Sequence, residues 1–112
     1  MHPNEQFSLT YPLVDSLSTQ ISSLLPSGFA EFVEAEIQEE GETVLFRIRQ
    51  SDEQTRSFTE TKCHEALLGV GSLLSDQLPY RRNGYRWVVS LMKNEQVVDA
   101  VCGGWEKMLM TP

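Results

Sequence analysis

The stretch Val33-Glu34-Ala35-Glu36-Ile37-Gln38-Glu39-Glu40-Gly41-Glu42-Thr43-Val44-Leu45-Phe46-Arg47-Ile48-Arg49 decides the fold. Its first half alternates apolar Val33, Ala35 and Ile37 with polar Glu34, Glu36 and Gln38, the period of a half-buried strand. Its second half sets Val44, Phe46 and Ile48 against Leu45, Arg47 and Arg49. Glu39-Glu40-Gly41-Glu42 lies between as a turn. Two alternating runs about a short glycine-containing turn predict an antiparallel hairpin. Cross-strand pairing would bring Arg47 or Arg49 to Glu34 or Glu36 on the outer face, worth a few tenths of a kcal/mol per pair.

Outward from this hairpin the pattern repeats in outline. Upstream, Thr10-Tyr11-Pro12 opens a helix, because proline suits the first turn. Leu13, Leu17, Ile21, Leu24 and Leu25 follow at helical spacing, and Pro26-Ser27-Gly28 stops the helix. Downstream, 50–56 reads as a polar loop, and Ser57-Phe58-Thr59-Glu60 has capping-box spacing. A second helix then carries Cys63, Leu67, Val70, Leu74 and Leu78 on one face and ends at Pro79. Gly69 and Gly71 inside it either let the helix lie close to the sheet or mark a break, at about 1 kcal/mol each. After the Asn83-Gly84 turn signal, 85–92 is rich in β-formers, 93–96 turns and 97–102 returns. Gly103-Gly104 breaks that strand, and 105–110 suits a short helical tail. The expected class is α+β: one domain over 1–112, ordered α-β-β-α-β-β(-α), an antiparallel sheet with helices packed on one face. Residues 1–9 read as a loose lead-in.

Charge narrows the partners. Nine Lys and Arg stand against sixteen Asp and Glu among 112 residues, a net charge of −7. Every basic residue lies from Arg47 onward, whereas eight acids precede it. Phosphate affinity comes from Lys and Arg, so neither nucleic acid nor an acidic membrane is an expected partner. A basic protein is what this field attracts. No signal peptide is visible at the N-terminus, and no apolar run approaches the ~18 residues of a membrane span. The expected location is cytoplasmic. Cys63 and Cys102 are too few for a disulfide framework. They can form one bridge, but reduced thiols fit the cytoplasmic reading better.

Catalytic and metal chemistry find little support. Cys63-His64 sits on a helix, where adjacent side chains diverge by about 100° and do not face one another. Two Cys and two His at 2, 63, 64 and 102 have no metal-ligand spacing. Gly69-Val70-Gly71 has no preceding strand and is no dinucleotide loop. No metal, no cofactor and no catalytic set is therefore expected. Tyr80 and Tyr85 around Arg81-Arg82 read as a small basic-aromatic cluster, suited to an acidic ligand or, more simply, to a solvated loop. The acidic block is different in kind: six acids between Glu31 and Glu42 have no positive residue among them. Such a block serves as a solubilising strand edge or as an electrostatic face that captures a basic partner.

The layout resembles the YezG-like immunity proteins of bacterial polymorphic-toxin and contact-dependent inhibition systems. The resemblance spans about 13–101. It rests on the first helix running into Leu25-Pro26-Ser27-Gly28-Phe29, the acidic hairpin, and Tyr85-Arg86-Trp87 leading through Asn94-Glu95-Gln96 into Val97-Val98-Asp99. It implies an antitoxin rather than an enzyme, a protein that covers the active site of a cognate toxin domain such as a nuclease. Such a toxin has a basic groove for phosphates, which an acidic surface can occupy. The expected contacts are Glu34, Glu36, Glu39, Glu40 and Glu42, extended by Asp52 and Glu53, with Tyr80 or Tyr85 as an aromatic anchor. The expected state is a monomer or weak dimer. The alternative from another class is a small acidic secretion chaperone that binds an effector protein.

Overall fold

The computed structural model describes residues 10–38, 43–78 and 86–104. Helix α1 (Tyr11–Leu24) opens at Thr10, whose hydroxyl accepts from the Leu13 N–H, with Pro12 in the first turn. Its buried face is Val14, Leu17 and Ile21. The core stripe is thus rotated from the one expected: Leu13 is only half-buried, and Leu24 is 50% exposed. Past the helix, the Phe29 N–H donates to the Pro26 carbonyl at 3.0 Å. That turn needs φ +73° at Gly28, a left-handed value that glycine adopts without strain. It swings Phe29 into the core, edge-on to Phe58 at 4.9 Å.

Strands β1 (Phe32–Gln38) and β2 (Thr43–Gln50) pair antiparallel, Val33 opposite Ile48 and Ile37 opposite Val44, as the alternation predicts. The connecting 39–42 lies outside the described residues. The polar loop expected after β2 contains a short helix, α2 (Asp52–Ser57). It has no apolar face to reveal it, but it carries a complete capping box: Ser51 accepts from the Gln54 N–H, and Gln54 accepts from the Ser51 N–H. The box therefore belongs to α2, and α3 (Glu60–Gln77) is capped instead by Thr59. Ser57 ends α2 rather than opening α3.

Helix α3 buries Cys63, Leu67, Val70 and Leu74, and Leu78 follows at its end, as the spacing predicts. The two glycines part company. A Cβ on Gly71 would come 3.1 Å from the Trp87 ring, so this glycine brings the helix down onto the sheet. Gly69 meets only a Leu24 methyl at 4.0 Å.

Strands β3 (Arg86–Lys93) and β4 (Gln96–Gly103) form the second hairpin. Asn94 and Glu95 turn it with φ 49° and 67°, the left-handed pair of a two-residue hairpin loop. A register shift between Leu91 and Met92 leaves Val98 as an extra residue, a β-bulge. Gly103 lies in the strand, and Gly104, at φ +96°, follows it. A Cβ on Gly103 would fall 2.6 Å from the Trp87 indole, so only glycine admits the ring there.

The strand order is β1-β2-β3-β4. Both hairpins are antiparallel, but β2 and β3 join them in parallel, Phe46 opposite Val89 and Ile48 opposite Leu91. The four-stranded sheet is therefore mixed. Helices α2 and α3 lie between β2 and β3 in the chain and supply the crossover that a parallel pair requires. One core of α1, α3 and the inner faces of all four strands unites Val14, Leu17, Phe46, Leu67, Trp87 and Val89. The chain is a single α+β domain with helices on one face of the sheet. No helix among the described residues is long and apolar enough to cross a membrane.

Candidate binding surface

The face of the sheet turned from the helices carries the charged residues of the hairpin. Along β1 it presents Phe32, Glu34 and Glu36; along β2, Leu45, Arg47 and Arg49. Arg47 lies directly opposite Glu34, but the ion pairs run diagonally. Arg47 donates to Glu36 at 2.9 Å. Arg49 donates Nε to Glu34 at 2.8 Å, and its Nη2 approaches the same oxygen to 2.6 Å. The expected cross-strand pairing is therefore present. These side chains are about a fifth to a half exposed, so solvent screens both pairs and each adds little to stability. Gln38 and then Arg47 hold the Glu36 carboxyl below the usual carboxylate range. Glu34 pushes Arg49 further up.

Arg49 also sits over the Phe32 ring, 5.9 Å from its centroid, a cation–π arrangement set by their direct opposition in the register. A second carboxylate, Glu95 from the β3–β4 turn, approaches it at 3.4 Å. Around this arginine, at one end of the sheet, lies a hollow of about 400 Å³ bounded by Glu31, Phe32, Arg49, Asp52, Met92 and Glu95. Asp52 opens α2 and accepts from Asn94 Nδ2 at 3.1 Å, which ties the helix to the turn. Glu53 stands beside it in the same exposed first turn, where a carboxylate favours the helix dipole.

The expected contact residues thus divide. Glu34 and Glu36 are on the open face, each already holding an arginine. Asp52 borders the hollow together with Arg49, the partner of Glu34, and Glu53 is next to it in the chain. Glu39, Glu40, Glu42, Tyr80 and Tyr85 lie outside the described residues. Glu31, Phe32, Asn94 and Glu95 were not anticipated. Phe32 shares the phase of Glu34 and Glu36, a period-2 signal that could have found it. Glu95 comes from 46 residues beyond Arg49 and left no local trace.

One histidine–carboxylate pair lies away from this surface. His64 Nδ1 lies 2.8 Å from Asp99 Oδ2, and Asp99 Oδ1 accepts from the Ala100 N–H. Half of the His64 side chain faces solvent, so the pair joins α3 to β4 at the surface and lacks the enclosure of a catalytic dyad. Cys63 and Cys102 are both free thiols. Burial pushes the Cys63 thiol up, away from the reactive thiolate. Among the described residues no three His, Cys, Asp or Glu side chains gather as a metal site.

Comparison with protein-family models, with curated proteins and with solved structures finds no match to this chain.

Proposed function

We propose that the protein is a cytoplasmic binding protein, an antitoxin that neutralises a cognate toxin domain with a basic surface. The observation that supports it best is the placement of acids around the open sheet face. Arg47 and Arg49 are engaged by Glu36 and Glu34, so these two strand pairs leave little net field. The unbalanced acids Glu31, Asp52, Glu53 and the mostly exposed Glu95 stand at the rim, beside the apolar Phe32 and Met92. Glu31, Asp52 and Glu95 outweigh the single charge of Arg49 in the hollow, so the rim attracts an Arg or Lys of a partner, and the exposed part of Phe32 offers it apolar contact. The acids of 39–42 add to the net negative charge of the chain. A nuclease groove, built to hold phosphate, is the basic surface we favour as the target.

Two experiments test this. Co-purification from the native host should recover a basic toxin fragment in a one-to-one complex. Recovery of an intact secreted effector with its secretion signal would favour the chaperone instead. With the toxin in hand, two charge-reversal sets should each slow association and flatten its salt dependence: Glu39, Glu40 and Glu42 to Lys, and Asp52 and Glu95 to Lys. Unchanged association in both sets would reject this surface.

A further inference from the structure

We infer that two copies of this chain pair through strand β4 and helix α3, forming one eight-stranded sheet about a two-fold axis.

The first observation is the edge. β4 ends the sheet, and among the described residues no strand pairs with its outer side. The Val98 bulge interrupts its ladder, leaving Asp99–Gly103 as a regular run centred on Val101. Ala100 and Cys102 are exposed, Val98 is 54% exposed, and none of them carries charge. In a chain of net charge −7, a neutral edge is where two like-charged copies can meet.

The second observation is the helix beside that edge. His64, Leu68, Ser72 and Asp76 are all exposed and recur every four residues, one stripe along α3. The midpoint of this stripe is residue 70, and that of the strand run is Val101. The two lie together, since a Cβ on neighbouring Gly71 would contact Val101 at 3.8 Å. A single axis normal to the sheet can therefore serve both elements.

That axis makes the stripe self-complementary. It sets His64 opposite Asp76 of the other copy at each end. The Nδ1 of His64 is engaged by Asp99, and in the imidazolium form Nε2–H can donate to the second carboxylate. It sets Leu68, 51% exposed, opposite Ser72 of the other copy. There a cleft of about 440 Å³, floored by Gly71, Trp87 and Gly103 and flanked by Ser72 and Ser75, can receive a leucine side chain. Five strand residues and one knob make a small interface, so the association is weak and concentration-dependent. Both acidic hairpins lie at the far ends of the joined sheet.

The axis fixes the strand register, with Ala100 opposite Cys102 of the other copy. Opposed Cα atoms of an antiparallel pair are about 4.5 or 5.5 Å apart, within the span of a disulfide. The test uses the full chain with reductant, by sedimentation from about 5 to about 500 μM, bracketing a micromolar association. The expected result is a shift from 12.7 kDa towards twice that mass. Leu68→Glu should abolish the shift while leaving circular dichroism and Tm unchanged. Under mild oxidation, Ala100→Cys should give a covalent dimer through native Cys102, and Cys102→Ser in the same chain should remove it. A chain that stays at 12.7 kDa throughout overturns the proposal. So does a dimer indifferent to Leu68→Glu that forms no 100–102 crosslink; where the two readouts disagree, the crosslink decides.

Discussion

The two edges of the sheet have solved the same exposure in opposite ways. On β1, the open-face positions carry Glu34 and Glu36, and each is held in place by an arginine of β2. A strand approaching that edge would meet carboxylates. On β4, the corresponding positions are Ala100 and Cys102, while the one acid, Asp99, is turned to His64. β1 is fixed to its neighbour partly by charge. β4 is seated by shape: Gly103 and Gly71 clear the space that the Trp87 indole fills. Charge on an edge blocks pairing at little cost in stability, whereas a neutral edge leaves pairing open and relies on close packing for its order.

The comparison makes graded predictions. The largest effect belongs to the shape-held edge. Gly103→Ala should lower the unfolding free energy by roughly 1–3 kcal/mol, because its Cβ would overlap the indole, and denaturant melts should show the same loss at low and high salt. Tolerance of alanine would mean that the ring does not seat β4. Next comes the buried amide between hairpin and helix. Gln50 donates to the Phe29 carbonyl at 2.9 Å and accepts from Thr55. Gln50→Leu should cost about 1–3 kcal/mol by leaving that carbonyl unsatisfied. Glu95→Gly should act in the other direction. It relieves a non-glycine φ of 67° and loses only an exposed contact with Arg49, so a gain of about 0.5–1 kcal/mol in thermal melts is expected. A loss would show that the Arg49 contact outweighs the strain.

The smallest effect belongs to the charge-held edge. Glu36→Gln should destabilise only slightly in low salt and not measurably at 1 M salt. The pH sign follows from the direction of the shift. The folded Glu36 carboxyl lies below its unfolded value, so its contribution is complete above the unfolded pKa and disappears as pH falls through the folded one. The wild-type advantage over Glu36→Gln should fade below about pH 4. A wild-type advantage that persists in salt and acid would assign β1 to packing as well.

Much of this was legible in the sequence, for physical reasons. Period-2 alternation is a local signal, so both hairpins and the inward residues of β1 and β2 could be read directly. The stripe of α3 was legible because every member is apolar and four or three residues apart. In α1, the spacing from Leu13 to Leu25 includes Leu24 and omits Val14, whereas the fold buries Val14 and leaves Leu24 out, with Leu13 and Leu25 partly buried. Helix α2 was hidden because it buries nothing and is specified by its capping box alone. The parallel β2–β3 joint was hidden because no period encodes which strand a strand will meet. The Arg–Glu pairs of the candidate surface were foreseeable across one hairpin. The hollow was not, since Glu31, Asp52 and Glu95 come from three separate segments.

The parallel joint also sets the order of assembly. Each hairpin closes over a short loop and can form early, on its own, within microseconds. The seam between β2 and β3 must wait until α2 and α3 have been laid across the sheet, because it brings together residues about forty positions apart, such as Thr43 and Arg86. That closure carries the largest loop-entropy cost of the three strand pairings. Destabilising the seam at Phe46 or Val89 should slow folding, while changes at the hairpin turns should show mainly in the unfolding rate.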